Sequence, residues 1–198
     1  MSERDIDLTA FLASLKDVLA SRTDGNADAM VGRIYEKLQD IGEASEADGH
    51  LLPVCEYLTP AMDVIAEEGH PLSELAGRLH AVLPRLVWRA RPGPAPNAST
   101  NFAESHANAM IVGPGGIEGR RDLWIGMSLL APGTRYPDHD HAPPEVYLVL
   151  SPGRFLQGGG EWFSPGIGGV FYNPPGILHA MAADEDAPLL ALWLLDVR

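Results

Sequence analysis

The stretch GTRYPDHDHAPPEVYLVL, residues 133–150, decides the reading of this chain. In an extended backbone every second side chain points to the same face. His139, His141, Glu145 and Tyr147 share one parity, so two imidazoles, a carboxylate and a phenol are expected on one side. The condition is that Pro143 and Pro144 introduce no bulge that shifts the register. The other parity holds Val146, Leu148 and Leu150, so the strand is apolar on its second face as well. The ligand-bearing side reads as the interior of a β-barrel. The aliphatic side needs cover from helices or from a second subunit, and a homodimer is one assembly that would supply it.

A lone histidine on a strand is usually an ordinary core or surface residue, and a pair spaced by one is little more telling. The fuller set carries more weight. Two imidazoles and a carboxylate offer neutral nitrogen and anionic oxygen, which suit iron, manganese, nickel, copper or zinc. A fourth ligand is available from NPPGILHAM, residues 173–181, where Pro174 and Gly176 set a turn and His179 begins the next strand. In a closed barrel that strand reaches the same cavity, and three histidines with one glutamate leave coordination positions open for a substrate. Tyr147 follows Glu145 by two residues on the same face. A phenol beside a divalent cation has its proton affinity lowered and could act as a base; a cavity-lining ring with a satisfied hydroxyl is the plainer alternative.

Around this stretch lie short β-like runs, DLWIGMSLL at 122–130, GVFYN at 169–173 and LLALWLL at 189–195, separated by turns rich in glycine and proline. They predict a mainly β barrel or sandwich. Upstream, RPGPAPN at 91–97 is a stiff extended connection and marks a boundary between residues 1–90 and 91–198. The first part is helical in pattern. Leu8, Leu12, Leu15 and Leu19 form one apolar stripe, and Met30, Ile34, Leu38 and Ile41 form a second over Ala27 to Ile41, with Asn26 as its cap. A third helix is expected to start at Thr59–Pro60 and to close at a left-handed Gly69. Pro71 opens a fourth, with Leu72, Leu75, Leu79 and Val82 on one face, ending or kinking at Pro84.

At 198 residues, with 45% hydrophobic and 21% charged residues, the chain has the make-up of a folded domain with a substantial core. Its formal net charge of −13 argues against nucleic acid and anionic membrane surfaces as partners. Cys55 is the single cysteine, so no intrachain disulfide can form, and it reads as a small buried residue. With neither a secretory pattern at the start nor a run long enough to span a membrane, a cytoplasmic protein is expected.

Gly133, five residues, His139, one residue, His141, three residues, Glu145 resembles the first cupin motif without a gap. Gly168, five residues, Pro174, one residue, Gly176, two residues, His179 resembles the second. Two positions depart from the pattern: Ala183 stands where the second motif ends in asparagine, and the closing glycine of the first comes one late, at Gly153. The resemblance implies a cupin (double-stranded β-helix) barrel that binds one divalent metal through His139, His141, Glu145 and His179. The helical first part, the length, HDHAPPEVYLVL and NPPGILHA together resemble the cupin-type dimethylsulfoniopropionate lyases of marine bacteria, especially the DddQ type. That resemblance implies a zinc, iron or manganese ion, Tyr147 as general base, and a second catalytic tyrosine at Tyr136. The aromatic residues of the β part, Trp124, Tyr136, Trp162, Phe171, Tyr172 and Trp193, read mostly as core, but such a set could box an onium group by cation–π attraction, with Trp124, Tyr136 and Trp193 as the expected substrate contacts. The implied reaction is β-elimination to dimethyl sulfide and acrylate. An iron dioxygenase on a small organic acid, or a ligand-binding cupin without catalysis, would use the same residues.

Overall fold

Asp5 starts the first helix: its carboxylate accepts from the Leu8 backbone N–H at 2.9 Å and satisfies one of the donors a helix leaves free at its start. In the computed structural model, which describes residues 3–45 and 48–197, α1 runs Ile6–Ala20 and α2 Gly25–Lys37. A short 3-10 turn, Pro53–Tyr57, leads directly into α3, Leu58–Ala66; α4, Leu72–Val82, is continued by a 3-10 turn at Leu83–Arg85. One short strand, β1 (Glu43–Ala44), falls between α2 and α3, and β2 (Trp88–Arg89) follows the last helical turn. Eight more follow: β3 His106–Val112, β4 Glu118–Gly119, β5 Leu123–Leu130, β6 Glu145–Val149, β7 Gly153–Gln157, β8 Val170–Asn173, β9 His179–Ala183 and β10 Leu189–Asp196.

Four helix boundaries differ from the sequence expectation. The second helix is capped at Asp24 rather than Asn26 and stops at Lys37, leaving Ile41 exposed. Its stripe ends early because the chain turns to pair β1 with β4, and the Gly42 N–H is taken by the Glu118 carboxylate at 3.0 Å. The third helix begins before Thr59, since the preceding 3-10 turn already winds the chain; Pro60 then sits in the first turn, where a missing N–H costs nothing. Gly69 is not left-handed. It instead offers its carbonyl to Leu72 at 3.0 Å and starts the turn into α4.

The strands form a mainly β arrangement of two sheets rather than one continuous closed sheet. The larger has the order β1-β4-β3-β5-β10-β6-β8 with β2 on the free side of β3; the smaller pairs β7 with β9. Residues before 91 thus contribute two edge strands as well as the helices. Strand β6 divides its side chains as its parity requires. Val146, Leu148 and Leu150 lie fully buried in the cluster that includes the apolar stripes of all four helices, whereas Tyr147 and Val149 join a separate cluster with Phe155, Met181 and Ala191, between the sheets. The aliphatic face is therefore covered from within the same chain. At its end, α2 is pinned to β10, with Arg33 Nε and Lys37 Nζ bonding the Asp196 carboxylate at 2.8 and 2.6 Å. Among the described residues no helix is long and apolar enough to cross a membrane.

Candidate metal centre and cavity

Backbone pairing brings the two motifs together. His139 and His179 exchange backbone hydrogen bonds of 3.0 and 2.9 Å, and the Gly176 N–H reaches the His141 carbonyl at 2.9 Å. Gly176 has φ 71° and Gly133 φ 68°, conformations that glycine adopts without a Cβ penalty. The turns that carry the ligand-type residues depend on them.

Each of the three imidazoles is fixed in the same way. His139 Nδ1 meets Pro137 O at 3.0 Å, His141 Nδ1 meets Pro143 O at 2.8 Å and His179 Nδ1 meets Ile177 O at 2.9 Å. A carbonyl oxygen can only accept, so Nδ1 carries the proton and Nε2 keeps its lone pair. One nitrogen from each ring lies within 4.8 Å of the other two. Glu145 Oε2 stands 3.5 Å from His141 Nε2 and 3.3 Å from His179 Nε2. His179 Nε2 is buried without an aligned hydrogen bond. Three neutral imidazoles with converging lone pairs, an orphaned buried acceptor and a carboxylate form a donor set suited to a divalent transition ion at bond lengths of about 2.1 Å.

Behind Glu145, the Asn173 amide donates to Oε2 at 2.9 Å, and Gln157 donates to Asn173 Oδ1 at 2.5 Å. This support is not visible in the sequence, because the cross-strand pairing of β6 with β8 is what sets Asn173 opposite Glu145. The charges are coupled. Burial opposes ionisation of Glu145, but the adjacent His141 and His179 imidazoles hold its carboxyl down at about 2. Burial and the neighbouring His179 push His139 down to about 4. Burial works against charge on His141 too, yet the bond to Glu145 carries its value above the usual one. The Tyr147 phenol is pushed well up, first by burial and then by Glu145.

A cavity of about 580 Å³ opens onto this cluster. His139, His141, Glu145 and Tyr147 line it, as do Trp124, Tyr136 and Trp193, while His179 is buried and does not reach its surface. Arg89 and Arg91 also line it; sequence reading gave no sign of them. Trp162, Phe171 and Tyr172 lie elsewhere. Phe171 stacks on Tyr147 at 5.2 Å and Tyr172 packs toward the helices, both half-buried at the margin of the core, whereas Trp162 is 36% exposed and is flanked by the guanidinium groups of Arg135 and Arg154. Trp162 follows the turn after β7 rather than lying in a strand, so no sheet covers it.

Trp193 lies across Gly126, its cross-strand partner. A Cβ at Gly126 would fall 2.3 Å from the indole and 2.6 Å from the Ala109 carbonyl. Gly126→Ala should therefore displace the indole or the strand at a cost of about 1–3 kcal/mol, seen as a lower Tm and an altered tryptophan emission. An unchanged Tm would mean that the indole is loosely held.

Comparison with known proteins gives a consistent set of similarities. The family profile described as dimethylsulfoniopropionate lyase matches residues 26–191. A Cereibacter sphaeroides protein named as dimethylsulfoniopropionate lyase DddL is 28% identical over 165 residues, which is 81% of this chain and 68% of that protein. The crystal structure of the lyase DddQ from Ruegeria pomeroyi DSS-3 superposes with a TM-score of 0.71 at 19% identity, covering 98% of this chain and 92% of that one. A chain from the crystal structures of the lyases RdDddP and RnDddQII gives 0.69 at 24% identity, covering 96% and 92%.

Proposed function

Because the chain belongs to the dimethylsulfoniopropionate lyase family, we propose that it is a metal-dependent carbon–sulfur lyase that splits dimethylsulfoniopropionate into dimethyl sulfide and acrylate, with Tyr147 as general base. The observation that carries the reading beyond the family is placement: the base, three of the ligand-type side chains (His139, His141 and Glu145) and the aromatic walls face one cavity. The substrate is a zwitterion. Its sulfonium cannot donate a hydrogen bond and is drawn to aromatic faces, which Trp124, Tyr136 and Trp193 offer. Its carboxylate belongs at the cluster of His139, His141, Glu145 and His179.

With the substrate so held, Tyr147 Oη takes the proton from the carbon next to the carboxylate. The C–H electrons become the new C=C bond, the C–S pair leaves with sulfur as neutral dimethyl sulfide, and the proton passes from Tyr147 to solvent. A neutral leaving group needs no general acid, so one base suffices. A divalent ion held by the four ligands would polarise the carboxylate, acidify the neighbouring C–H bond and favour the phenolate. Burial and Glu145 raise the proton affinity of Tyr147, and a cation held at the cluster would act against both. The same reading makes the protein cytoplasmic and active on a small molecule; its net charge of −13 disfavours nucleic acid and anionic membranes.

Headspace detection of dimethyl sulfide together with equimolar acrylate tests the reaction. Oxygen uptake without dimethyl sulfide would point instead to a dioxygenase, and a metal-loaded protein with no turnover would point to a ligand-binding cupin.

Metal analysis should find close to one divalent ion per chain, with zinc, iron or manganese as the expected occupants. Asn173→Ala leaves all four ligands but frees the Glu145 carboxylate, and should weaken metal binding by roughly 10- to 100-fold. Acid should release the ion. Protons compete for Nε2, and because His141 holds its proton above the usual histidine value while His139 stays neutral to about 4, affinity should already fall as pH drops through the titration of His141. A metal titration that is flat between neutral and mildly acidic pH would exclude the imidazole ligands.

A further inference from the structure

Behind the aromatic wall of the cavity, a chain of polar side chains joins Trp193 to Tyr136 through two residues to which the elimination gives no role, Ser128 and Asn108. Trp193 Nε1–H donates to Ser128 Oγ at 3.1 Å, Ser128 Oγ lies 2.6 Å from Asn108 Oδ1, and Asn108 Nδ2 lies 3.0 Å from Tyr136 Oη. All four residues line the cavity. The direction of these bonds is fixed from one end. An indole N–H can only donate, so Ser128 Oγ accepts from it and has its own hydrogen left to place. Asn108 Oδ1 is the acceptor in reach, and the short 2.6 Å separation fits O–H···O, whereas the 3.0 Å to Tyr136 fits N–H···O. The reverse orientation of the amide would leave the buried Ser128 hydroxyl without an acceptor, which costs more than the bond itself gains.

We infer that Asn108 is a positioning residue: locked by Ser128 and Trp193, it donates to Tyr136 Oη and leaves the Tyr136 O–H free to point into the cavity as a donor to the substrate carboxylate. The identity of the acceptor rests on the lyase reading above; the polarity of the chain stands on the geometry alone. A carboxylate can only accept. With the amide reversed, Tyr136 would spend its hydrogen on Asn108 and show the carboxylate a lone pair, which repels it. The chain thus fixes the Tyr136 hydroxyl as a donor, whatever its ring face meets, and ties that polarity to the Trp193 indole.

Two measurements on the metal-loaded, full-length protein test this. In the first, Asn108→Ala, Tyr136→Phe and the double variant are compared on dimethylsulfoniopropionate. Loss of a hydrogen bond to a charged group should raise KM by roughly 10- to 100-fold for each single change, with a smaller effect on kcat. Asn108→Ala should add nothing in the Tyr136→Phe background. Equal losses in both backgrounds would overturn the inference, because Asn108 would then act only as a packing residue. The second measurement needs no turnover. In 15N-labelled protein the Asn108 side-chain amide resonances, assigned by their loss in Asn108→Ala, should shift in Tyr136→Phe as one proton loses its acceptor. A response to Ser128→Ala with none to Tyr136→Phe would show the opposite polarity and overturn it. Should the wild type release no dimethyl sulfide, the lyase reading fails while the amide spectra still decide the polarity.

Discussion

Replacing Tyr147 with phenylalanine is expected to lower dimethyl sulfide release by roughly a hundred- to ten-thousand-fold while the metal stays bound, the usual consequence of losing a general base. The substitution leaves the ring in place, stacked on Phe171 at 5.2 Å and tilted against Phe155 at 5.6 Å. The hydroxyl is the single group removed, and its loss should cost about 1 kcal/mol of stability. The change in rate would then be far larger than the change in Tm. Changing Trp124 or Tyr136 to an aliphatic residue should behave differently and act chiefly on KM, because contact with the sulfonium or carboxylate exists before and during the reaction. Near-normal turnover by Tyr147→Phe, with metal content checked in parallel, would exclude the phenol as base.

Removing residues 1–90 should abolish the soluble monomer. We propose that these residues form a helical segment whose role is to cover the barrel rather than to fold apart from it. Val146, Leu148, Leu150, Leu190, Leu192 and Leu194 are fully buried in the cluster shared with the helices. Exposing six such side chains forfeits on the order of 10 kcal/mol, comparable to the whole stability of a typical domain. The cut also removes Trp88 and Arg89, which pair with Ala109 and Asn108 on β3, so a sheet edge opens as the apolar face does. Both changes favour aggregation. Size-exclusion chromatography of the 91–198 fragment checks this; a soluble, active monomer would make the helices a dispensable appendage.

The stretch from Gly133 to Leu150 gave up the residue types of the candidate centre without any structure, but two-residue periodicity placed only part of them. It holds within β6, where Glu145 and Tyr147 take one side and Val146 and Leu148 the other; His139 and His141 precede the strand, and backbone bonds to His179 and from Gly176 bring them to the cluster. The glycines at 133 and 176 are equally local, since a left-handed turn is a demand on one residue. The helix stripes were legible for the same reason, and their ends were less so: α2 stops at Lys37 because Glu43 and Ala44 pair with Gly119 and Glu118, residues far along the chain. Tertiary structure alone decided the rest. The register of β8 on β6 sets Asn173 behind Glu145, and that of β3, β5 and β10 places Asn108, Ser128 and Trp193 side by side to reach Tyr136. Register is fixed by the joint burial of both faces of a sheet across strands separated by long loops. One residue of slip would send each of these side chains to the opposite face, so their meeting is determined by the packed sheet and not by any spacing along the chain.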